Sequence, residues 1–482
     1  MGVLSDLKPK KVFHYFEEIC SIPHGSGNIE QISDYLVKFA KERSLRFRQD
    51  EKGNVIIWKD GSKGYEQSAP VILQGHMDMV AVKEEGCNKN LDTEGLDLEI
   101  NGDMISATGT SLGGDDGIAV AFSLALLDDD ELAHPPLEAV FTVDEEIGML
   151  GADYMDMSDL KGRILLNMDS EEEGVFTVSC AGGATVTSMF SFRRENVTAE
   201  ALRVKIENFT GGHSGVEIDK GRANANVAMG RILRAAGKAA DIRLETLNGG
   251  EKDNAIAKFG EAVIVTEPEK QEAVQAAVKK AFGQISEEYR VTDPDAVLVM
   301  EVLPMEERQA FTRENTEAVV TAMLCLPAGI QRKNPQMPEL VQTSLNLGVV
   351  ITDKEKISLS FSVRSSVESE KEYLIDQITC LTEALGGSVT VTGQYPGWEY
   401  RSDSPLRELL IEVYKEMYQK EPVVEGIHAG LECGIFASRL DNLDAVSIGP
   451  QMYHIHTTKE ELSISSAQRT WELVLRTLER LK

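Results

Sequence analysis

Val71-Ile72-Leu73-Gln74-Gly75-His76-Met77-Asp78 is the stretch on which the fold turns. Val71–Leu73 reads as a buried strand, and it leads into a histidine and a carboxylate. The pattern returns twice downstream: Leu137–Val143 ends in Asp144-Glu145-Glu146, and Ile164–Leu166 ends in Asn167-Met168-Asp169. Strands of this kind alternate with helices, which predicts α/β architecture with a largely parallel sheet covered on both faces. Ligands of such sheets collect beyond the carboxyl ends of the strands. Nearly every acidic or histidine motif here stands at such an end.

Outward from that core, two amphipathic helices are expected near Lys10–Cys20 and Ile29–Ser44, the first with Val12, Phe13, Phe16 and Ile19 at helical spacing. Short strands come next at Arg46–Gln49 and Asn54–Trp58, joined by a turn through Lys52-Gly53-Asn54. A glycine-rich turn, Gly109–Gly117, precedes an apolar helix, Ile118–Leu127. From about Ala184 the texture changes to alternating strands (Val186–Phe192, Leu202–Phe209, Ile357–Val363) and longer helices (Asn224–Ala236, Gln271–Tyr289, Thr316–Cys325, Lys371–Leu385). After Pro396 helix–strand alternation resumes: Pro405–Gln419, Val423–Ile427, Leu431–Leu440, Ala445–Ile448, and a last helix from Ser466. The expected organisation is a catalytic domain in two parts, residues 1–184 and 397–482, with an α+β domain inserted at 185–396.

At 482 residues, two domains are the natural division. A hydrophobic fraction of 42% with 27% charged residues is that of a soluble globular protein, with no run approaching the roughly 18 apolar residues of a membrane helix. The polar start, Met1 to Lys11, carries no apolar stretch of signal-peptide type, so a cytoplasmic location is expected. Cys20, Cys87, Cys180, Cys325, Cys380 and Cys433 are scattered, the pattern of reduced, mostly structural thiols. A formal charge of -30 excludes a nucleic-acid partner and disfavours an anionic membrane surface. Solubility accounts for much of that excess, but carboxylates gathered around cations would contribute to it.

On an extended segment His76 and Asp78 share a face, so the histidine can hold a metal while the carboxylate takes its other ring N–H. Asp115 and Asp116 stand at a helix start after Gly113-Gly114. One of them is expected to cap the helix, and either could bridge two cations. Glu145 and Glu146 point in different directions from one strand end. One can bind metal while the other moves a proton between a metal-activated water and a leaving amine. Asp169 repeats the strand-then-carboxylate pattern, whereas Glu171-Glu172-Glu173 reads as a solvated loop. His454 and His456 flank Ile455, and only one of them need be a ligand. His14 and His134 read as structural, and His24 is ambiguous. Together these residues supply the nitrogen and oxygen donors that zinc accepts.

The combination resembles the M20 family of zinc peptidases, and within it the aminoacyl-histidine dipeptidase branch, over essentially the whole chain. The resemblance rests on Gly75-His76-Met77-Asp78-Met79-Val80, the Gly109–Gly117 turn, Thr142-Val143-Asp144-Glu145-Glu146-Ile147-Gly148 and Asn167-Met168-Asp169-Ser170-Glu171. It extends to Gly211-Gly212-His213-Ser214-Gly215 and His428-Ala429-Gly430-Leu431-Glu432-Cys433-Gly434. It implies two Zn2+ per subunit, with Mn2+ or Co2+ as possible substitutes. Asp115 would bridge, with His76 and Asp169 completing one site and Glu146 and His456 the other. Asp78 would orient His76, and Glu145 would be the general base and acid. The resemblance also implies a lid domain carrying a homodimer interface. His213 in the lid would stabilise an oxyanion, and Asn254, Arg364, His428 and Glu432 would join it in binding substrate. Two departures stand out. The turn after the last histidine reads Thr457-Thr458-Lys459-Glu460 instead of ending Ser-Pro-acid, and Ala257-Lys258 replaces a proline–arginine pair.

The implied activity is hydrolysis of small unblocked dipeptides by a metal-bridging water and a glutamate base. The alternatives are an N-acyl-amino-acid deacylase of the same metal chemistry and a non-catalytic binding protein on the same fold.

Overall fold

The computed structural model describes residues 2–482, which form two compact units. The first comprises the chain up to Cys180, with Tyr400–Gly426 and Leu431–Lys482. The second comprises Ala181–Glu399 and Ile427–Gly430.

The first unit is built on an eight-stranded sheet. Its spatial order is Arg46–Gln49, Val55–Lys59, Leu137–Thr142, Val71–His76, Ile164–Asn167, Asp444–Ser447, Val175–Cys180 and Val423–Ile427. The four central strands run parallel: Val71 lies beside Leu137 and Ile164, and Asp444 lies beside Ile164. The outer pairings at Val55–Phe141, Arg46–Trp58 and Ser447–Thr177 are antiparallel. The apolar strand runs explain the arrangement, because Val71–His76 and Leu137–Thr142 are buried along their whole length, as a centre covered on both faces requires. One covering helix, Gly114–Leu127, is apolar all round and entirely buried. Its neighbour Lys10–Cys20 is amphipathic and turns Val12, Phe13, Phe16 and Ile19 inward. Full burial of side chains of that size contributes about 1.5–3 kcal/mol each. The last helix, Ile464–Arg480, is capped by the Ser463 hydroxyl, which accepts from Ser466 N, and it stacks Trp471 on Phe122.

A separate four-stranded sheet orders Met452–Tyr453, Glu461–Ser463, Met104–Ala107 and Leu98–Asn101. Met452 pairs with Leu462 and Tyr453 with Glu461, so residues 454–460 form the loop of a hairpin. That loop carries His456.

The second unit is a nine-stranded sheet whose pairings are antiparallel, with the apolar faces of Ala225–Ala239, Gln271–Glu288, Arg313–Cys325 and Glu368–Ala384 packed into its core. Sequence patterning did not reveal the fifteen-residue strand Val297–Phe311. It lies at the sheet edge, and its Pro304 sits opposite a register shift at Ala199/Ala201, where a missing N–H is tolerated. The thiols divide: Cys20, Cys180 and Cys433 are buried, whereas Cys325 and Cys380 are exposed and have no packing role to explain them.

Candidate metal centre

Three adjacent parallel strands end together. His76 closes Val71–His76, Glu145 and Glu146 come after Leu137–Thr142, and Asp169 comes after Ile164–Asn167. A fourth contribution comes from the start of the buried helix, which approaches because residue 75 has no side chain. A Cβ on Gly75 would stand 2.5 Å from Asp116 Oδ2 and 2.6 Å from Ala119 Cβ.

Asp115 is the centre of the arrangement. Its Oδ1 lies 3.0 Å from His76 Nε2 and its Oδ2 lies 3.1 Å from His456 Nε2. Asp169 Oδ1 is 3.5 Å from the same His76 nitrogen, and Glu146 Oε2 is 3.0 Å from the same His456 nitrogen. His76, Asp115, Glu146, Asp169 and His456 are thus brought together in two overlapping groups that share one aspartate. His454 is exposed, and His456 is the member of that pair facing the carboxylates.

Neither Asp115 nor Asp116 caps its helix, contrary to the expectation from sequence. Both have non-helical backbone angles, no side chain accepts at that cap, and the peptide bond between them is cis. The orphan amides go instead to Glu460. Its carboxylate accepts from Leu112 N (2.9 Å), Gly113 N (3.1 Å), Gly114 N (2.8 Å) and Asp115 N (3.4 Å). The hairpin that carries His456 therefore also grips the loop that carries Asp115.

His76 Nδ1 lies 2.9 Å from the carbonyl oxygen of Asp78, an acceptor only, so this nitrogen carries a proton and Nε2 is the atom that could serve as a ligand. The Asp78 carboxylate is farther from the ring, at 3.6 Å. Its oxygens accept from the Glu145 backbone N–H at 3.0 Å and the Ser26 hydroxyl at 2.8 Å. Asp78 thus holds the histidine through its main chain and the Glu145 segment through its side chain.

Burial would lower the His76 pKa, but Asp169, Asp115 and Asp78 hold it well above its ordinary value. His456 is raised to about 10, chiefly by its hydrogen bonds to Asp115 and Glu146. Burial lifts Glu145 well above the carboxylate range, Asp169 to about 6 and Glu171 to about 7, with Asp115 adding repulsion at the last two. In addition, Glu146 Oε1 is buried without a hydrogen-bond partner. This donor set fits divalent cations: carboxylate and imidazole atoms face one another at ligand spacing, and two acceptors, Glu146 Oε1 and Asp116 Oδ1, are left unsatisfied among the described residues. His76, Asp115 and Glu146 form one triplet whose donor atoms lie within 4.8 Å of one another, and His76, Asp116 and Asp169 form a second.

This chain matches the family model Peptidase family M20/M25/M40 over residues 72–480. It is 34% identical over 483 residues to the cytosol non-specific dipeptidase of Escherichia coli (strain K12), covering 100% of this chain and 99% of that one. The chain belongs to this peptidase family. Its structure is similar to that of aminoacylhistidine dipeptidase from Vibrio alginolyticus, at TM-score 0.94 and 33% identity, covering 99% of this chain and 97% of that one. Aminopeptidase PepT from Bacillus cereus shares the fold at TM-score 0.58 and 14% identity, covering 98% of this chain and 99% of that one. The α/β fold expected from sequence and the peptidase resemblance are both borne out.

Other residues of this M20 peptidase were less legible. Asp116 is fully buried, accepts from the His76 backbone N–H at 3.2 Å, and has a second oxygen without a partner. Glu171 and Glu172 are exposed, as the solvated-loop reading expects, but the Glu171 carboxyl is raised to about 7 by burial, with Asp115 and Asp169 adding repulsion. His24 is buried with Nδ1 on Ile22 O at 2.6 Å and Nε2 without a partner. His134 is a buried structural histidine on Pro135 O.

In the second unit, the ladder between Gly212–His213 and Ala255–Ile256 sets His213 beside Asn254, whose carbonyl accepts from Ser214 N at 2.9 Å. His213 Nδ1 accepts from the N–H groups of Gly215 and Val216, both at 3.2 Å, which leaves its proton on Nε2. Arg364 is buried, donates from Nη1 to Tyr395 Oη at 3.1 Å, and has no carboxylate partner among the described residues. His428 Nε2 is 2.7 Å from Ser344 Oγ, and burial with Arg364 nearby lowers its pKa to about 3. Glu432 belongs to the first unit and is fully buried, bonded to Gln74 and Thr142.

Proposed function

We propose that this chain is a di-metal dipeptidase that hydrolyses small peptides with a free amine and a free carboxylate. The observation that carries the reading is the two-sided position of Asp115, one oxygen toward His76 and the other toward His456. His76, Asp115 and Asp169 would hold one cation, and Asp115, Glu146 and His456 the other. Two Zn2+ suit this mixed nitrogen and oxygen set, with Mn2+ or Co2+ as substitutes. When bound, such ions supply Lewis acidity that polarises a carbonyl and lowers the pKa of water.

The chain's own residues do the rest. Glu145 takes a proton and returns it to the departing amine, and burial raises its pKa, which favours its holding the proton in between. Asp78 anchors the Glu145 backbone and the His76 ring at once. His213 offers an Nε2–H to a developing oxyanion. Arg364, a buried guanidinium with no carboxylate of its own, is suited to a substrate carboxylate, and Asn254 and His428 complete the substrate-facing set.

By family resemblance residues 1–184 and 397–482 act as the catalytic domain and 185–396 as an inserted lid carrying a homodimer interface. A cytoplasmic setting is supported by the E. coli relative, a cytosol dipeptidase. No helix is long and apolar enough to cross a membrane among the described residues.

The test is a dipeptide panel, free and N-acetylated, assayed on metal-free and metal-reconstituted protein. Metal-dependent cleavage of the free dipeptides is expected. Cleavage confined to the acetylated set would replace the reading with a deacylase, and no cleavage or metal uptake would remove it.

A further inference from the structure

Beneath the metal-facing residues lies a polar network that the proposed reaction does not use directly, with Glu432 Oε1 left without a hydrogen-bond partner among the described residues. Gln74, Thr142, Asn167 and Glu432 are all fully buried. Glu432 Oε2 accepts from Gln74 Nε2 at 2.5 Å and from Thr142 Oγ1 at 2.6 Å. Gln74 Oε1 in turn accepts from Asn167 Nδ2 at 2.5 Å, and Gln74 Nε2 also reaches Thr142 Oγ1 at 3.3 Å. Each strand member stands just before a functional side chain: Gln74 is two residues before His76, Thr142 three before Glu145, and Asn167 two before Asp169.

Glu432 itself comes from elsewhere, the first turn of the helix Glu432–Arg439. It forms no ion pair with any Lys or Arg among the described residues. A buried carboxyl without a cationic partner is a poor contributor to stability, and an apolar residue of similar size would fill the space at lower cost. What an apolar residue cannot do is hold two donors from two adjacent strands on a single oxygen. Main-chain pairing sets the spacing of the parallel strands, but it does not set the twist of their last residues, from which the ligands project. Side-chain bonds across those ends do.

We propose that Glu432 is a positioning residue, joining Gln74 and Thr142 from below so that the strand ends bearing His76, Glu145 with Glu146, and Asp169 keep the separation the metal centre needs. Its bonds run to Gln74 and Thr142, so it acts through the strands and not on a substrate. This inference rests on the di-metal peptidase reading of the centre above it.

The experiment loads wild type, Glu432→Gln, Glu432→Ala and Thr142→Val with Co2+. It records the visible absorption spectrum, which reports ligand geometry, together with bound metal per chain, and then kcat and KM on a free dipeptide. For Glu432→Ala the expected result is an altered cobalt spectrum and a kcat lower by about 10- to 100-fold with KM nearly unchanged. Glu432→Gln keeps an oxygen that accepts both donors, so it retains the wild-type spectrum and most of kcat. Thr142→Val removes one tie and shifts spectrum and kcat in the same direction by less. If Glu432→Ala does not fold, Glu432→Gln and Thr142→Val decide the question by the same two readouts. A raised KM with unchanged kcat would overturn the proposal in favour of substrate contact, and wild-type spectra and kcat in Glu432→Ala and Thr142→Val would overturn it outright. A wild-type protein that takes up no cobalt or cleaves no dipeptide instead removes the reading on which it rests.

Discussion

Oδ1 of Asp115 stands 3.0 Å from Nε2 of His76, close enough that ring and carboxylate share a proton unless a cation replaces it. That competition sets the pH behaviour of the metal-free protein. His456, held at about 10 mainly by its hydrogen bond to Asp115, has a folded pKa above its unfolded value of about 6.5. Its stabilising contribution is therefore complete below about 6.5 and is lost as pH rises through about 10. Asp169 and Glu171, raised by burial to about 6 and about 7, act in the same direction at lower pH. Asp115 is depressed and acts oppositely, but only as pH falls below the usual carboxylate range. Calorimetry on metal-free protein should show Tm falling steadily from about pH 6 to about pH 9, and metal-loaded protein should lose that slope because the cations displace those protons. A flat metal-free curve would contradict the proton sharing.

Asp115→Ala should lose both cations, not one, because its two oxygens serve two groups. Metal analysis after dialysis gives the count. Retention of one tightly bound ion would show that the aspartate is not shared.

Glu145→Gln should keep full metal occupancy and lose about 100- to 10,000-fold in kcat, the range associated with a missing general base. A variant with normal metal content and normal turnover would reassign the proton transfer.

Glu460 touches no proposed ligand side chain, yet it receives four successive amides of the loop leading into Asp115. Glu460→Ala leaves these N–H groups without their acceptor and frees the loop. Metal affinity should fall by about 10- to 100-fold, as removal of supporting hydrogen bonds does elsewhere. Isothermal titration with Zn2+ measures it, and an unchanged Kd would show that the loop holds its shape alone.

Arg364→Ala should raise KM for a free dipeptide while hardly altering KM for the same dipeptide amidated at its C-terminus. Equal effects on both substrates would mean that the guanidinium does not recognise a carboxylate.

Much of the first unit was legible because its signals are local. Three apolar runs ending in His76, Glu145-Glu146 and Asp169 announce strands whose ends carry chemistry, and those strands lie side by side in the sheet. Elsewhere a local signal misled. Asp115 and Asp116 have the composition of a helix cap, but the cap amides are taken by Glu460, more than three hundred residues along the chain. Glu171 stands in an exposed acidic run, and its carboxyl is raised by burial, with Asp115 and Asp169 adding repulsion, which no local signal shows. The edge strand Val297–Phe311 escaped because Pro304 and several charges break its pattern, which an edge tolerates.

Periodicity, residue type and family motifs, all properties of short segments, determined by themselves that this is an α/β peptidase with carboxylates and a histidine at its strand ends. Only the tertiary structure decided which oxygens face which nitrogens: Asp115 meets His76 across 39 positions and His456 across 341. No local rule reaches that far. Such meetings are fixed by sheet order, by the close approach that Gly75 permits, and by a distant carboxylate closing a loop of unsatisfied amides.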